Sequence, residues 1–145
     1  MLMATMLLSP EVLSAQGGVA LSKANQIRCT FPLMTVGTWS REQVEAKTKP
    51  STLALEFEAI NADEGTAQLK ANVGKYDIIV RYAEGYLHFI QSFYNGPLYV
   101  TTVLDKKTAN GKLKAMHSRH ELIDFALPGI TSSPEQYLGE CEILK

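Results

Sequence analysis

The feature that most constrains the fold is a regular alternation of apolar and polar residues that begins at Thr52. Apolar side chains recur at every second position in the runs 52–60, 66–73, 75–83, 86–93 and 98–105, and each gap between runs contains glycine. Successive side chains of a strand point to opposite faces, so such runs joined by turn residues predict an antiparallel meander. The predicted fold class is mainly β. The up-and-down meander would form a small barrel or a sandwich, with one or two short helical turns.

The segments outside these runs complete the prediction. Residues 27–39 have the pattern of a strand interrupted at Pro32, which indicates an edge strand or a bulge because proline donates no ladder hydrogen bond. Residues 40–50 are predicted to form an exposed helical turn or a long loop. Near the C terminus, Ser133 and Pro134 suit the N-cap and the first position of a helix, and alternation returns after that helix.

The segment 112–127 is compatible with two structures. As a helix it would carry a plausible apolar stripe that ends at a Pro-Gly pair. As a strand it would follow Asn110-Gly111, a dipeptide typical of two-residue hairpin turns. We favour the strand for residues 112–120, with residues 121–127 as a short helix or a loop.

The three histidines decide whether a metal site or a histidine-based active site is plausible. On a strand, His117 and His120 would point to opposite faces and could not chelate one ion, whereas on a helix they would lie side by side. His88 is the only further histidine. A metal-dependent or histidine-based enzyme that uses all three is the alternative hypothesis. Because no motif of nucleophilic, nucleotide-dependent or metal-dependent catalysis occurs, we predict no catalytic residue, no cofactor and no metal.

Charge and the amino terminus bear on partners and localisation. The net charge of −1, from 14 basic and 15 acidic residues, argues against nucleic acid as a partner. The apolar run 2–8 is too short for a transmembrane segment, which needs about 20 residues, but it suits the core of a secretory signal followed by small residues. We therefore predict a signal-like or disordered segment at 1–17, a single β-barrel-like domain at 18–145, and a periplasmic or secreted protein.

Cys29 and Cys141 are the only cysteines, and neither belongs to a C-x-x-C motif. As a disulfide they would tie the first strand to the last and contribute about 4–5 kcal/mol in the loop-entropy model. Disulfides persist in oxidising compartments, so this pairing agrees with export. Two buried free thiols in a cytosolic protein are the alternative.

Aromatic residues are concentrated in the middle of the chain. Seven of the twelve lie between Tyr76 and Tyr99. Such a concentration can line a pocket for an apolar or ring-shaped ligand, or it can form the packed core of a small barrel. The sequence does not decide which face of the 76–105 strands is the inner one.

The stretch "VGTWS" (36–40) resembles the G-x-W motif that opens the first barrel strand of lipocalins and related calycin barrels. The order of parts is similar too, with a meander after this motif and a cysteine near the end. The resemblance implies that Trp39 plugs the closed end of a barrel and that a basic residue, here Arg119, packs across it. The stretches "AMHSRH" and "YLGECE" are also similar to small exported bacterial proteins of unknown function.

These observations together predict an exported, non-enzymatic β-barrel. It would bind a small apolar ligand or serve a structural or partner-binding role. A third hypothesis is a bare interaction module that pairs with its partner through an open sheet edge. The sequence does not identify a protein partner. The predicted ligand-binding residues are Trp39, Tyr82, Tyr86, Phe89 and Arg119.

Overall fold

The computed structural model describes residues 17–40, 43–123 and 133–145, which form one short helix and eight strands. Their bounds are α1 Gly17–Ser22, β1 Ile27–Ser40, β2 Gln43–Asn61, β3 Thr66–Ala71, β4 Gly74–Ala83, β5 Tyr86–Ser92, β6 Leu98–Lys107, β7 Leu113–His120 and β8 Glu135–Ile143. Most of the predicted signal-like segment, residues 1–16, and part of the segment predicted as a short helix or loop, residues 124–127, lie outside the described residues.

The eight strands form a closed antiparallel ring. Each strand pairs with its neighbours in sequence, and β8 pairs back with β1. The predicted mainly-β meander is thereby confirmed, and closure of the ring makes it a barrel rather than a sandwich. The described residues contain a single short helical turn, α1. No helix among them has the length or the apolar character needed to cross a membrane.

The strand prediction for residues 112–120 is confirmed by β7. The β6–β7 hairpin is closed by a hydrogen bond from the Thr108 amide to the Lys112 carbonyl, 2.7 Å between N and O. Gly111 has a φ of 75°, which glycine adopts without steric cost. Tertiary pairing on both sides of β7, with β6 and β8, outweighs the helical pattern in this segment.

Two local predictions were wrong. Residues 43–50 are neither a helical turn nor a loop but the first part of β2, which pairs with the end of β1 as a long ribbon. Ser133 and Pro134 do not begin a helix, because the chain enters β8 at Glu135. In both places, hydrogen bonding to a neighbouring strand outweighs the local signal. For β8 the neighbours are β1 on one side and β7 on the other.

The interruption predicted at Pro32 is a β-bulge that reverses the inner and outer faces of β1. In the pairing with β8, three steps of β1 from Thr30 to Leu33 lie opposite two steps of β8, so β1 has one added residue. Inward, buried side chains occur at odd positions up to Phe31, and the next one is Met34. A bulge adds one residue to a strand, and a one-residue offset moves every later side chain to the opposite face. Trp39 therefore points outward.

The packed core lies toward the end of the barrel where β1 begins. Leu21 of α1 is 1% exposed and Ala24 is buried beside it in the same apolar cluster as Ile27. The predicted disulfide is present. Cys29 and Cys141 are directly opposite residues of β1 and β8, with Cα atoms 4.0 Å apart, so the bond crosses the seam that closes the ring.

A candidate ligand cavity inside the barrel

A cavity of about 300 Å³ occupies the barrel interior toward the end opposite α1, where β4 begins and β5 ends. Its apolar wall is formed by Leu55, Phe57, Leu69, Tyr76, Ile78, Phe89 and Phe93. Its polar wall is formed by Gln91, Tyr99, Thr101, His117 and Arg119. The inner face of the 76–105 strands, which the sequence left open, is therefore the face that carries Tyr76, Ile78, Phe89 and Tyr99.

Aromatic rings shape the apolar wall. The rings of Phe57 and Phe89 stack with centroids 3.9 Å apart and planes inclined by 6°, and both side chains are buried. Phe93 meets Tyr99 edge to face at 4.8 Å. Tyr76 lines the cavity and is 45% exposed, so the cavity reaches the molecular surface near the start of β4. These flat, rigid surfaces suit a flat apolar molecule.

The polar wall is formed by two rows of residues that are paired across neighbouring strands. The rim row runs across β5, β6, β7 and β8 and consists of Gln91, Tyr99, Arg119 and Glu135. The inner row lies one step deeper and consists of Phe89, Thr101, His117 and Tyr137. Opposite residues on paired strands have neighbouring side chains. The strand register thus brings together groups that are far apart in sequence.

Arg119 is the cation of the rim row. Its guanidinium lies between two tyrosine rings, 5.2 Å from the centroid of Tyr99 and 5.3 Å from that of Tyr137. Nη1 is 3.5 Å from a carboxylate oxygen of Glu135, and Nε donates to Nε2 of His117 at 3.3 Å. Two aromatic contacts and two polar contacts hold the guanidinium in one orientation, at the side of the cavity.

The two tyrosines beside Arg119 are hydrogen-bond donors. The Tyr99 hydroxyl donates to Glu121, and the Tyr137 hydroxyl donates to Glu135. Burial, reinforced by these carboxylates, raises the pKa of each tyrosine to about 12. Both phenols are therefore neutral at physiological pH and keep the proton that they donate.

His117 is the buried histidine of the inner row, 4% exposed. Nε2 accepts the hydrogen bond from Arg119, which assigns the ring proton to Nδ1, 2.8 Å from the Thr101 hydroxyl. Burial and then the charge of Arg119 lower the pKa of His117 to about 4. The ring is neutral, and both nitrogens are engaged within the barrel. Its role in this arrangement is to orient Arg119.

The buried neutral state of His117 makes the stability of the protein depend on pH. A histidine of the unfolded chain has a pKa of about 6.5 and takes up a proton below it. In the folded protein His117 stays neutral down to a pH of about 4. The contribution of neutral His117 to the stability is therefore complete above about pH 6.5 and is lost as the pH falls toward 4. We expect a loss of about 2 kcal/mol between roughly pH 7.5 and pH 5, measured by urea unfolding.

Two glutamine variants separate this effect from other titrations. His117→Gln should remove most of the pH dependence in that window. His120→Gln changes an exposed histidine at the end of the same strand and should leave the dependence as in the wild type. If both variants retain the wild-type slope, the assignment to His117 is wrong.

The predicted binding residues are not all at the cavity. Phe89 and Arg119 line it. Tyr82 and Tyr86 flank the β4–β5 turn, at the other end of the barrel, where they border a separate surface groove. Trp39 is 61% exposed on the outer face of β1. The role that the lipocalin resemblance implies for Trp39 is therefore not found: it does not plug the barrel.

Arg119 packs between two tyrosines rather than across Trp39. The groups that the sequence reasoning missed around it are Thr101, Glu135 and Tyr137. One signal was available for the last two. The alternation at the C terminus extends back from Cys141 through Tyr137 to Glu135, which favours a strand over the helix that was predicted there.

The three histidines do not share one pocket. His117 points inward and His120 is exposed, so they lie on opposite faces of β7, as the strand interpretation predicts. His88 lies opposite Thr102, 2.9 Å from its hydroxyl, and stacks on Tyr86. In the described parts of the chain, no three His, Cys, Asp or Glu residues form a group that could hold a metal ion.

Comparison of the chain with protein family models, with curated proteins and with solved structures finds no match. Its function is therefore inferred from the cavity and from the groups that line it.

Proposed function

We propose that this chain is a non-enzymatic barrel that binds one small, largely apolar molecule in its cavity. The observation that carries the proposal is the cavity of about 300 Å³ between the stacked Phe57–Phe89 pair and the polar wall. Ligand sites in proteins are concave, mostly apolar and about 300–1,000 Å³ in volume, with a few placed polar groups. A volume at the lower end of this range indicates a small ligand.

The protonation states and hydrogen bonds of the polar groups support binding rather than catalysis. His117 is neutral, and both of its nitrogens already have partners in Thr101 and Arg119. The phenols of Tyr99 and Tyr137 hold their protons. A general base or nucleophile has to be reactive toward the substrate. Among the described residues that line the cavity, none meets this condition, and the polar wall instead presents fixed donors.

We also propose that the protein works in an oxidising compartment, as an exported protein. The Cys29–Cys141 disulfide, which closes the barrel seam, supports this, since disulfides persist outside the reducing cytosol. The signal-like composition of residues 2–8 agrees with it.

The binding proposal is tested with N-phenyl-1-naphthylamine, a neutral apolar dye whose fluorescence rises when it leaves water. We expect saturable binding by the wild-type protein. Ile78 is 7% exposed and lines the cavity, so Ile78→Phe fills part of the available space. Added volume in a packed core typically lowers the free energy of unfolding by about 1–3 kcal/mol. Because the larger side chain takes up space in the cavity, we expect the dye to bind about tenfold more weakly.

The matched control is Ile79→Phe. Ile79 is the next residue of β4, points to the outer face and is 47% exposed. The same added volume there should leave dye affinity unchanged, and circular dichroism checks that both variants fold. Equal weakening in both variants, or a wild-type protein that binds no dye, would contradict a ligand site inside the barrel.

A further inference from the structure

The polar wall of the cavity constrains the chemistry of the ligand, on the premise that the proposed binding function holds. Arg119 is the single cation that lines the cavity among the described residues. An arginine carries five N–H donors in a planar fork. Two directions are used, toward His117 and toward Glu135, and two tyrosine rings lie close to the group. What Arg119 offers to a ligand is an in-plane N–H group at the side of the cavity.

The charge of Arg119 is already balanced. Glu135 is its opposite residue in the rim row and lies 3.5 Å from it, and Glu121 adds a second carboxylate beside Tyr99. An anionic ligand would have to give up its hydration and compete with Glu135 for the guanidinium. A cationic ligand would meet Arg119 itself, since neither glutamate lines the cavity. The electrostatics of the site therefore favour a neutral molecule.

The remaining surfaces define the rest of the ligand. The apolar wall contains the parallel rings of Phe57 and Phe89, which accept another flat ring. In the rim row, Gln91 lies beyond Tyr99 from Arg119 and adds an amide group to the lining. One end of the cavity thus requires a hydrogen-bond acceptor, while the rest requires an apolar ring.

We propose that the ligand is a neutral, flat, ring-containing molecule with a carbonyl oxygen at one end. The carbonyl accepts a hydrogen bond from the Arg119 guanidinium, and the ring lies against the Phe57–Phe89 pair.

A series of three naphthalenes of nearly the same shape tests this inference by displacement of N-phenyl-1-naphthylamine. The probes are 2-acetylnaphthalene, which is the neutral ketone, 2-isopropenylnaphthalene, its alkene analogue without an acceptor, and 2-naphthoate, its anionic analogue. We expect the ketone to displace the dye at about tenfold lower concentration than either of the others, the size of effect typical of a hydrogen bond to a charged group.

The variants Arg119→Met and Arg119→Lys link the preference to the guanidinium. Methionine removes the donor and should equalise ketone and alkene. Lysine keeps the charge but loses the planar fork, and it should reduce the preference for the ketone. The ranking in the wild-type protein decides the question even if the methionine variant fails to fold.

The possible outcomes separate this inference from the proposed function. Tightest binding of the naphthoate, or equal binding of ketone and alkene, overturns the neutral-carbonyl ligand while leaving an apolar binding site. A wild-type protein that binds neither the dye nor any naphthalene overturns the proposed function and this inference with it.

Discussion

Replacing both Cys29 and Cys141 by alanine is expected to lower the free energy of unfolding by about 4–5 kcal/mol. The two residues are 112 positions apart, so the bond closes most of the chain into one loop. The loss acts mainly through the unfolded state, which gains conformational freedom when the loop opens. Alanine is the appropriate replacement because both positions are fully buried, where a serine hydroxyl without a partner would add its own cost.

Urea unfolding followed by circular dichroism, with and without dithiothreitol, measures this effect. Reduced wild-type protein should approach the stability of the double variant. The double variant itself should not respond to the reductant, which controls for effects of the reagent. A reductant that changes the stability of the wild type by less than about 1 kcal/mol would show that the seam is held by strand pairing and packing alone.

The substitution Gly139→Ala is expected to destabilise the protein by about 3 kcal/mol or more, the upper part of the range for overpacking. Gly139 lies on β8 opposite the bulge of β1. A Cβ atom at this position would stand 2.0 Å from the carbonyl oxygen of Thr30 and 2.8 Å from Cα of Phe31. Because these are backbone atoms, no side-chain rotation relieves the contact. One of the two strands has to move, and pairing across the β1–β8 seam is lost.

Gly37→Ala is the matched control for this prediction. Gly37 also lies in a strand, but its added Cβ would be 3.7 Å from the nearest atom, the carbonyl oxygen of Pro134, which is an ordinary contact. We expect its stability to stay within about 1 kcal/mol of the wild type. Thermal and urea unfolding of both variants provide the comparison. If Gly139→Ala is as stable as Gly37→Ala, the close approach at the bulge is not a constraint on the fold.

Much of the fold was predictable because its signals are local. Apolar alternation from Thr52 to Asp105 locates the second part of β2 and the strands β3 to β6, and the Asn110-Gly111 turn correctly predicts the strand β7. The disulfide was predictable for a different reason. With only two cysteines in the chain, a single intramolecular pairing is available.

The candidate site was only partly predictable. Phe89 and Arg119 were identified, and both line the cavity. Tyr82 and Tyr86 were predicted for the same site but lie at the opposite end of the barrel. For Tyr82, alternation indicates the face of the strand but not the depth at which a residue lies. Tyr86 is 46% exposed and lies on the opposite face of β5 from Phe89. Depth depends on how the strands are staggered around the ring.

The bulge at Pro32 shows most clearly which features of this protein follow from its sequence and which depend on its tertiary structure. The sequence alone determined the mainly-β meander, the positions of most strands, an interruption at Pro32 and the pair of cysteines. Only the tertiary structure decided how far that interruption shifts the chain. The shift turns Trp39 outward. The pairing of β7 with β8, which is also a tertiary feature, places Tyr137 and Glu135 beside Arg119. The physical reason is that alternation repeats every two residues, so one added residue exchanges the faces of a strand without changing its pattern.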